Sequence, residues 1–126
     1  MRRTVWAALL AGVLACLDSS AGPAAGVLKV SLTTPNSGGD GAILLTVSGP
    51  TALRSAGPGT GLRLFAGSLG VTNHFALTGT LGSGTVLTIG VSDVSRAAAY
   101  TATIQQVAAS NYQLRTLAGY SLTVAP

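Results

Sequence analysis

Few residues in this 126-residue chain have side chains suited to chemistry. It holds three aspartates (Asp18, Asp40 and Asp93), no glutamate, one lysine, one histidine (His74) and one cysteine (Cys16). Ser68, within Ala66-Gly67-Ser68-Leu69-Gly70, has the spacing of a nucleophile elbow with alanine for its first glycine. His74 and Asp93 would complete a hydrolytic triad. An elbow needs a strand entering and a helix leaving the serine, whereas Val71 to Phe75 leads into more β pattern, so a plain turn is expected. Gly57-Pro58-Gly59-Thr60-Gly61 and Gly79 to Gly84 are glycine-rich, but no lysine and no helical pattern follows either, so neither is expected to cradle a phosphate. Asn36 to Gly41 is rich in oxygen donors, yet calcium takes about six to eight oxygens, several from carboxylates. Only Asp40 is local, and Asp93 or Asp18 would have to come from elsewhere. His74 has no companion ligand for zinc. The chain is therefore expected to be non-enzymatic, without cofactor or metal.

What remains is recognition. Tyr100, Tyr112, Arg115 and Tyr120 could line one face or edge near the C-terminus, since Tyr and Arg are the usual anchors of binding surfaces and tyrosines can stack on sugars. The competing expectation is that two of these tyrosines belong to the core or to a corner.

Charged residues make up only 8% of the chain. Met1-Arg2-Arg3-Thr4 is followed by the apolar run Val5 to Ala15, which fits the charged and hydrophobic regions of a secretory signal. The run is too short to cross a bilayer, which takes about 20 residues. Val13-Leu14-Ala15-Cys16 resembles a bacterial lipobox, with an apolar residue at −3 and a small one at −1 before the cysteine. That resemblance implies cleavage before Cys16 and attachment of lipid to its thiol, with several acyl chains anchoring where one would not. Leu14 is bulkier than the residues commonest at −2. The alternative is an ordinary signal cut after Ser19-Ser20-Ala21. Leu17, where aspartate would favour inner-membrane retention in such proteins, implies the outer membrane or cell surface. Residues 1–15 thus read as a signal, 16–25 as a flexible tether and 26–126 as the domain. Removing the signal leaves five basic and three acidic side chains, all scattered singly, and no nucleic-acid face is expected. A single cysteine leaves packing to stabilise the domain.

The domain reads as β throughout. Leu28, Val30 and Leu32 alternate with Lys29, Ser31 and Thr33, which predicts a half-buried strand. Thr34 to Gly41 is a strong turn signal, and Ile43, Leu45 and Val47 predict the second strand. Ala56 to Gly61 reads as a loop. Leu62, Leu64 and Ala66 predict a short strand, Phe75 and Leu77 another, and Val86 to Val91 a further one. Residues 96–108 suit either a strand or a helix capped by Ser95; strand is preferred because the neighbours are β. Gln113 to Thr116 and a closing strand through Tyr120, Leu122 and Val124 end the chain. Seven to eight short strands in about 100 residues predict an all-β antiparallel sandwich, with a small barrel next. In a sandwich each strand would bury one face and cover the other with Ser and Thr.

The lipobox, short tether and single sandwich resemble small bacterial surface lipoproteins carrying an Ig-like or cohesin-like β-sandwich. Gly84-Thr85-Val86-Leu87-Thr88-Ile89-Gly90-Val91 is similar to the cohesin-type glycine followed by a long alternating strand, and Tyr100, with Asp93 nearby, could form an Ig-type tyrosine corner. The chain has few acids, few exposed aromatics and no cysteine pair, and so departs from the binding patterns of both families. The functional expectation is a lipid-anchored envelope module that binds a protein or glycan. The alternative is an assembly subunit that pairs by a sheet edge, at the closing strand or at Leu28 to Thr33, within a larger envelope complex.

Overall fold

The computed structural model describes residues 23–126. Cys16, the signal and most of the tether lie outside the described residues. Eight strands form two four-stranded antiparallel sheets stacked as a sandwich: β1 (Gly26–Thr33), β2 (Asp40–Ser48), β3 (Ser55–Pro58), β4 (Arg63–Ala66), β5 (Thr72–Leu81), β6 (Gly84–Val91), β7 (Thr101–Ala109) and β8 (Ser121–Ala125). The first sheet has the order β3-β6-β1-β8 and the second β4-β5-β2-β7. Only the β4–β5 link stays within one sheet; every other connection crosses to the opposite layer. No helix among the described residues is long and apolar enough to cross a membrane.

Period-two alternation builds the core, because successive strand side chains point to opposite faces. Leu28, Val30 and Leu32 of β1 and Ile43, Leu45 and Val47 of β2 are buried where the sheets meet. Phe75 and Leu77 of β5 and Leu87, Ile89 and Val91 of β6 complete the contact between layers.

Four local expectations are corrected. Ala56 to Gly61, read as loop, is strand as far as Pro58, within β3: Arg54 and Gly59 donate backbone hydrogen bonds to Gly90 and Val86, so edge pairing rather than side-chain burial holds the strand. Residues 94–99 are a short 3-10 helix with Asp93, not Ser95, as N-cap, and the chain is a strand from Thr101 onward. Leu28–Thr33 is no open edge, because β1 lies between β6 and β8; Lys29 therefore guards no edge. Gln113 to Thr116 forms no strand and makes one bridge, Leu114 to Ala108.

Candidate functional site

Among the described residues no hydrogen bond joins Ser68, His74 and Asp93, the side chains nominated for a triad. His74 lies exposed on the outer face of β5, with Nδ1 3.2 Å from the Thr46 hydroxyl. The Asp93 carboxylate accepts from the Ser95 hydroxyl (2.6 Å), the Ser95 amide (3.0 Å) and the Ala24 amide (3.4 Å). The Ser95 hydroxyl bond, aided by these two amides and by Arg96, holds the Asp93 carboxyl below the ordinary aspartate range. Asp93 sits beyond the start of β1 and Asp40 beyond its end, so the strand separates them by about 24 Å. No three His, Cys, Asp or Glu side chains come together among the described residues.

The four residues nominated for recognition part company. Tyr100 is buried, with its hydroxyl 3.2 Å from that of Thr51. A tyrosine corner closes on the backbone; this hydroxyl meets a side chain. Arg115 and Tyr120 converge on Asp40, which is 1% exposed. The Arg115 Nε donates to Asp40 Oδ1 at 2.9 Å, the Tyr120 hydroxyl lies 2.9 Å from Oδ2, and the Thr34 hydroxyl donates to Oδ2 at 2.7 Å. Asn36 in turn donates to the Tyr120 hydroxyl at 3.0 Å. A carboxylate taken out of water needs such donors. The cluster sews the β1–β2 turn to the segment between β7 and β8. Tyr112 alone of the four stands free, 91% exposed and in the left-handed region at φ 70°.

The outer faces of the two sheets differ. On the first sheet Lys29, Ser31, Thr33, Thr85 and Thr123 face solvent, as expected of a sandwich exterior, with Val27, 54% exposed, beside them. On the second sheet an apolar strip lies among polar rows, Thr46 with His74 and Thr103, and Ser48 with Thr72 and Thr101. Phe65 of β4 pairs with Ala76 of β5, Ala76 with Leu44 of β2, and Leu44 with Gln106 of β7, so these four form one row across the sheet. The adjacent row is Arg63, Thr78, Ala42 and Ala108. Leu44 is 42% and Phe65 54% exposed, although both are strand residues.

Small floors and larger walls leave three shallow depressions on this face. One of about 390 Å³ lies among Leu44, Phe65, Ala66, Gly67, His74, Phe75, Ala76 and Gln105. A second of about 240 Å³ is bounded by Ala42, Ile43, Leu44, Gln106, Ala108 and Leu114. A third of about 390 Å³ extends over Gly41, Ala42, Thr78, Gly79 and Ala108 to Tyr112. They are contiguous: Leu44 borders the first two, and Ala42 and Ala108 the last two. No Asp, Lys or Arg lines any of them. Sequence reasoning missed this surface, although two signals were present. Ala42-Ile43-Leu44-Leu45 and Phe75-Ala76-Leu77 are unbroken apolar runs inside alternating strands, which place apolar groups on both faces.

Comparison of the chain with protein-family models, with curated proteins and with solved structures finds no match.

Proposed function

We propose that this chain is a non-enzymatic envelope module, held at a membrane by lipid on Cys16, that binds a protein or glycan partner on the outer face of its second sheet. One observation carries the reading: a contiguous apolar strip, with Leu44 and Phe65 exposed beside Ala42 and Ala76, whose three depressions no Asp, Lys or Arg lines. Exposed patches of this kind mark interaction sites in folded proteins. Crosslinking in cells tests it. Wild type is expected to give a discrete adduct that Leu44→Asp abolishes while the folded chain accumulates normally; an unchanged adduct in Leu44→Asp would sink the reading. The lipid is tested separately. Wild type is expected in the membrane fraction with acyl mass on its N-terminus, and Cys16→Ser in the soluble fraction.

A second reading, edge pairing within a larger envelope complex, draws on β8. This strand forms one margin of the first sheet and Ser121–Ala125 carries no charge to blunt it. Thr123→Pro, which removes a backbone donor, would then abolish the adduct instead of Leu44→Asp.

A further inference from the structure

We infer that the end of the sandwich at which β1 begins lies against the headgroup layer of a membrane, with Lys29, Arg54 and Arg96 facing its phosphates and the opposite end directed outward. The inference rests on the lipid proposed on Cys16 and names the protein surface that this anchor brings to the membrane.

The entry of the chain sets the geometry. Ala24 is tied to the start of the 3-10 helix. Its amide donates to the Asp93 carboxylate at 3.4 Å, and its carbonyl accepts from the Val94 amide at 2.8 Å. β1 starts two residues later, at Gly26. Cys16 precedes Ala24 by eight residues. A chain spans at most roughly 3.5 Å per residue, so an anchored Cys16 holds Ala24 within about 28 Å.

Strand direction sorts the loops. β1 runs antiparallel to β6 and β8, and the turn into β2 lies at its far end. The near end therefore gathers residues 49–54, 67–71 and 92–100. Backbone hydrogen bonds bind these loops together: the Gly49 and Leu53 amides donate to the Val71 and Gly70 carbonyls, and the Arg54 amide to Gly90. The far end gathers residues 34–39, 59–62, 82–83 and 110–120. It stands about 24 Å away, the length of β1. The near end cannot leave the neighbourhood of the anchor, whereas the far end is carried outward by the length of the sandwich.

Charge selects the contact. Lys29, Arg54 and Arg96, three of the five cations among the described residues, belong to the near end, and all are exposed. Asp93, the one acidic side chain described there, is engaged by Ser95 and Ala24. Toward the far end Arg115 is paired with Asp40, which leaves Arg63. Basic side chains close to lipid phosphates are attracted to them, and the attraction fades within a Debye length. Val27 and Val71, 54% and 51% exposed, add apolar contact at the near end. With the strands standing on that end, both outer sheet faces are turned sideways. The apolar strip of the second sheet is then clear of lipid, and Tyr112 points away from it.

Quenching of a fluorescent label by lipids that carry a nitroxide on the headgroup tests this, with the lipidated chain in vesicles of phosphatidylglycerol and phosphatidylcholine. Once the Cys16 thiol is acylated, Ala98→Cys at the near end and Thr60→Cys at the far end each offer one free thiol, and both positions are exposed. A label at position 98 is expected to be quenched at least about threefold more than one at position 60, given the separation of the two ends. Arg54→Gln with Arg96→Gln is expected to lower that ratio at least about twofold, as is salt raised to about 1 M. Equal quenching at the two positions, or stronger quenching at position 60, overturns the inference. So does a ratio that the double variant leaves unchanged. Intact mass separates these failures from failure of the anchor. Absence of acyl mass overturns the lipid on Cys16 and this orientation with it, whereas an acylated chain with equal quenching overturns the orientation alone.

Discussion

Asp40 ties together side chains from three stretches of the chain. It is buried, and its two oxygens take hydrogen bonds from Arg115, Tyr120 and Thr34. Removing one donor from a buried carboxylate costs more than the bond itself, because the charge is left without its partner. Arg115 is about a third exposed, so water can replace part of its contribution. Arg115→Ala is expected to destabilise the fold by about 2–3 kcal/mol in denaturant unfolding. Tyr120→Phe, which keeps the ring and removes only the hydroxyl, should cost about 1 kcal/mol. Equal, near-zero effects from both would show that the cluster holds nothing together. Asp93 contributes differently. The Ser95 hydroxyl bond lowers its pKa in the folded chain, so its stabilisation is complete above the ordinary aspartate value and is lost as the pH falls through the folded one. Thermal midpoints of wild type and Asp93→Asn are therefore expected to differ at neutral pH and to converge below about pH 4. These roles were hidden in the sequence. Residues 40, 115 and 120 are far apart along the chain, and no spacing rule brings an isolated aspartate to an arginine across the sheet order. Arg115 and Tyr120 look like recognition residues because their chemistry suits recognition as well as it suits a buried carboxylate.

At the scale of elements, strands buried on one face were legible and strands held by their margins were not. In β1 apolar and polar residues alternate from Leu28 to Thr33 and burial alternates with them, while β2 and β6 keep the same period at Ile43, Leu45 and Val47 and at Leu87, Ile89 and Val91. Ser55–Pro58 has no such pattern. Its glycine and proline read as loop, and it becomes a strand only because β6 offers a row of unpaired backbone groups. The stretch before β7 was ambiguous because its alanines favour helix and its threonines favour strand. The chain uses both in succession, with the change at Tyr100. That turn depends on Gly49. The Tyr100 ring lies against Gly49 so closely that a Cβ there would overlap the ring. Gly49→Ala is expected to cost about 1–3 kcal/mol through overpacking. In Tyr100→Leu, which vacates the space, the same substitution should cost much less. A double-mutant cycle measures this coupling, and an additive result would show that the contact does not position the corner.

Across the whole of the described sandwich, the apolar strip on the second sheet was readable only from the runs that break alternation. Neither Leu44 nor Ala76 belongs to the core, so the fold does not require an apolar side chain at either position. An exchange on this strip therefore separates folding from recognition. Leu44→Asp is expected to cost no more than about 1 kcal/mol in denaturant unfolding, because the side chain stands outside the core, while it abolishes the cellular adduct. A much larger loss of stability would show that the row of Phe65, Ala76, Leu44 and Gln106 holds the sheet together and serves no partner.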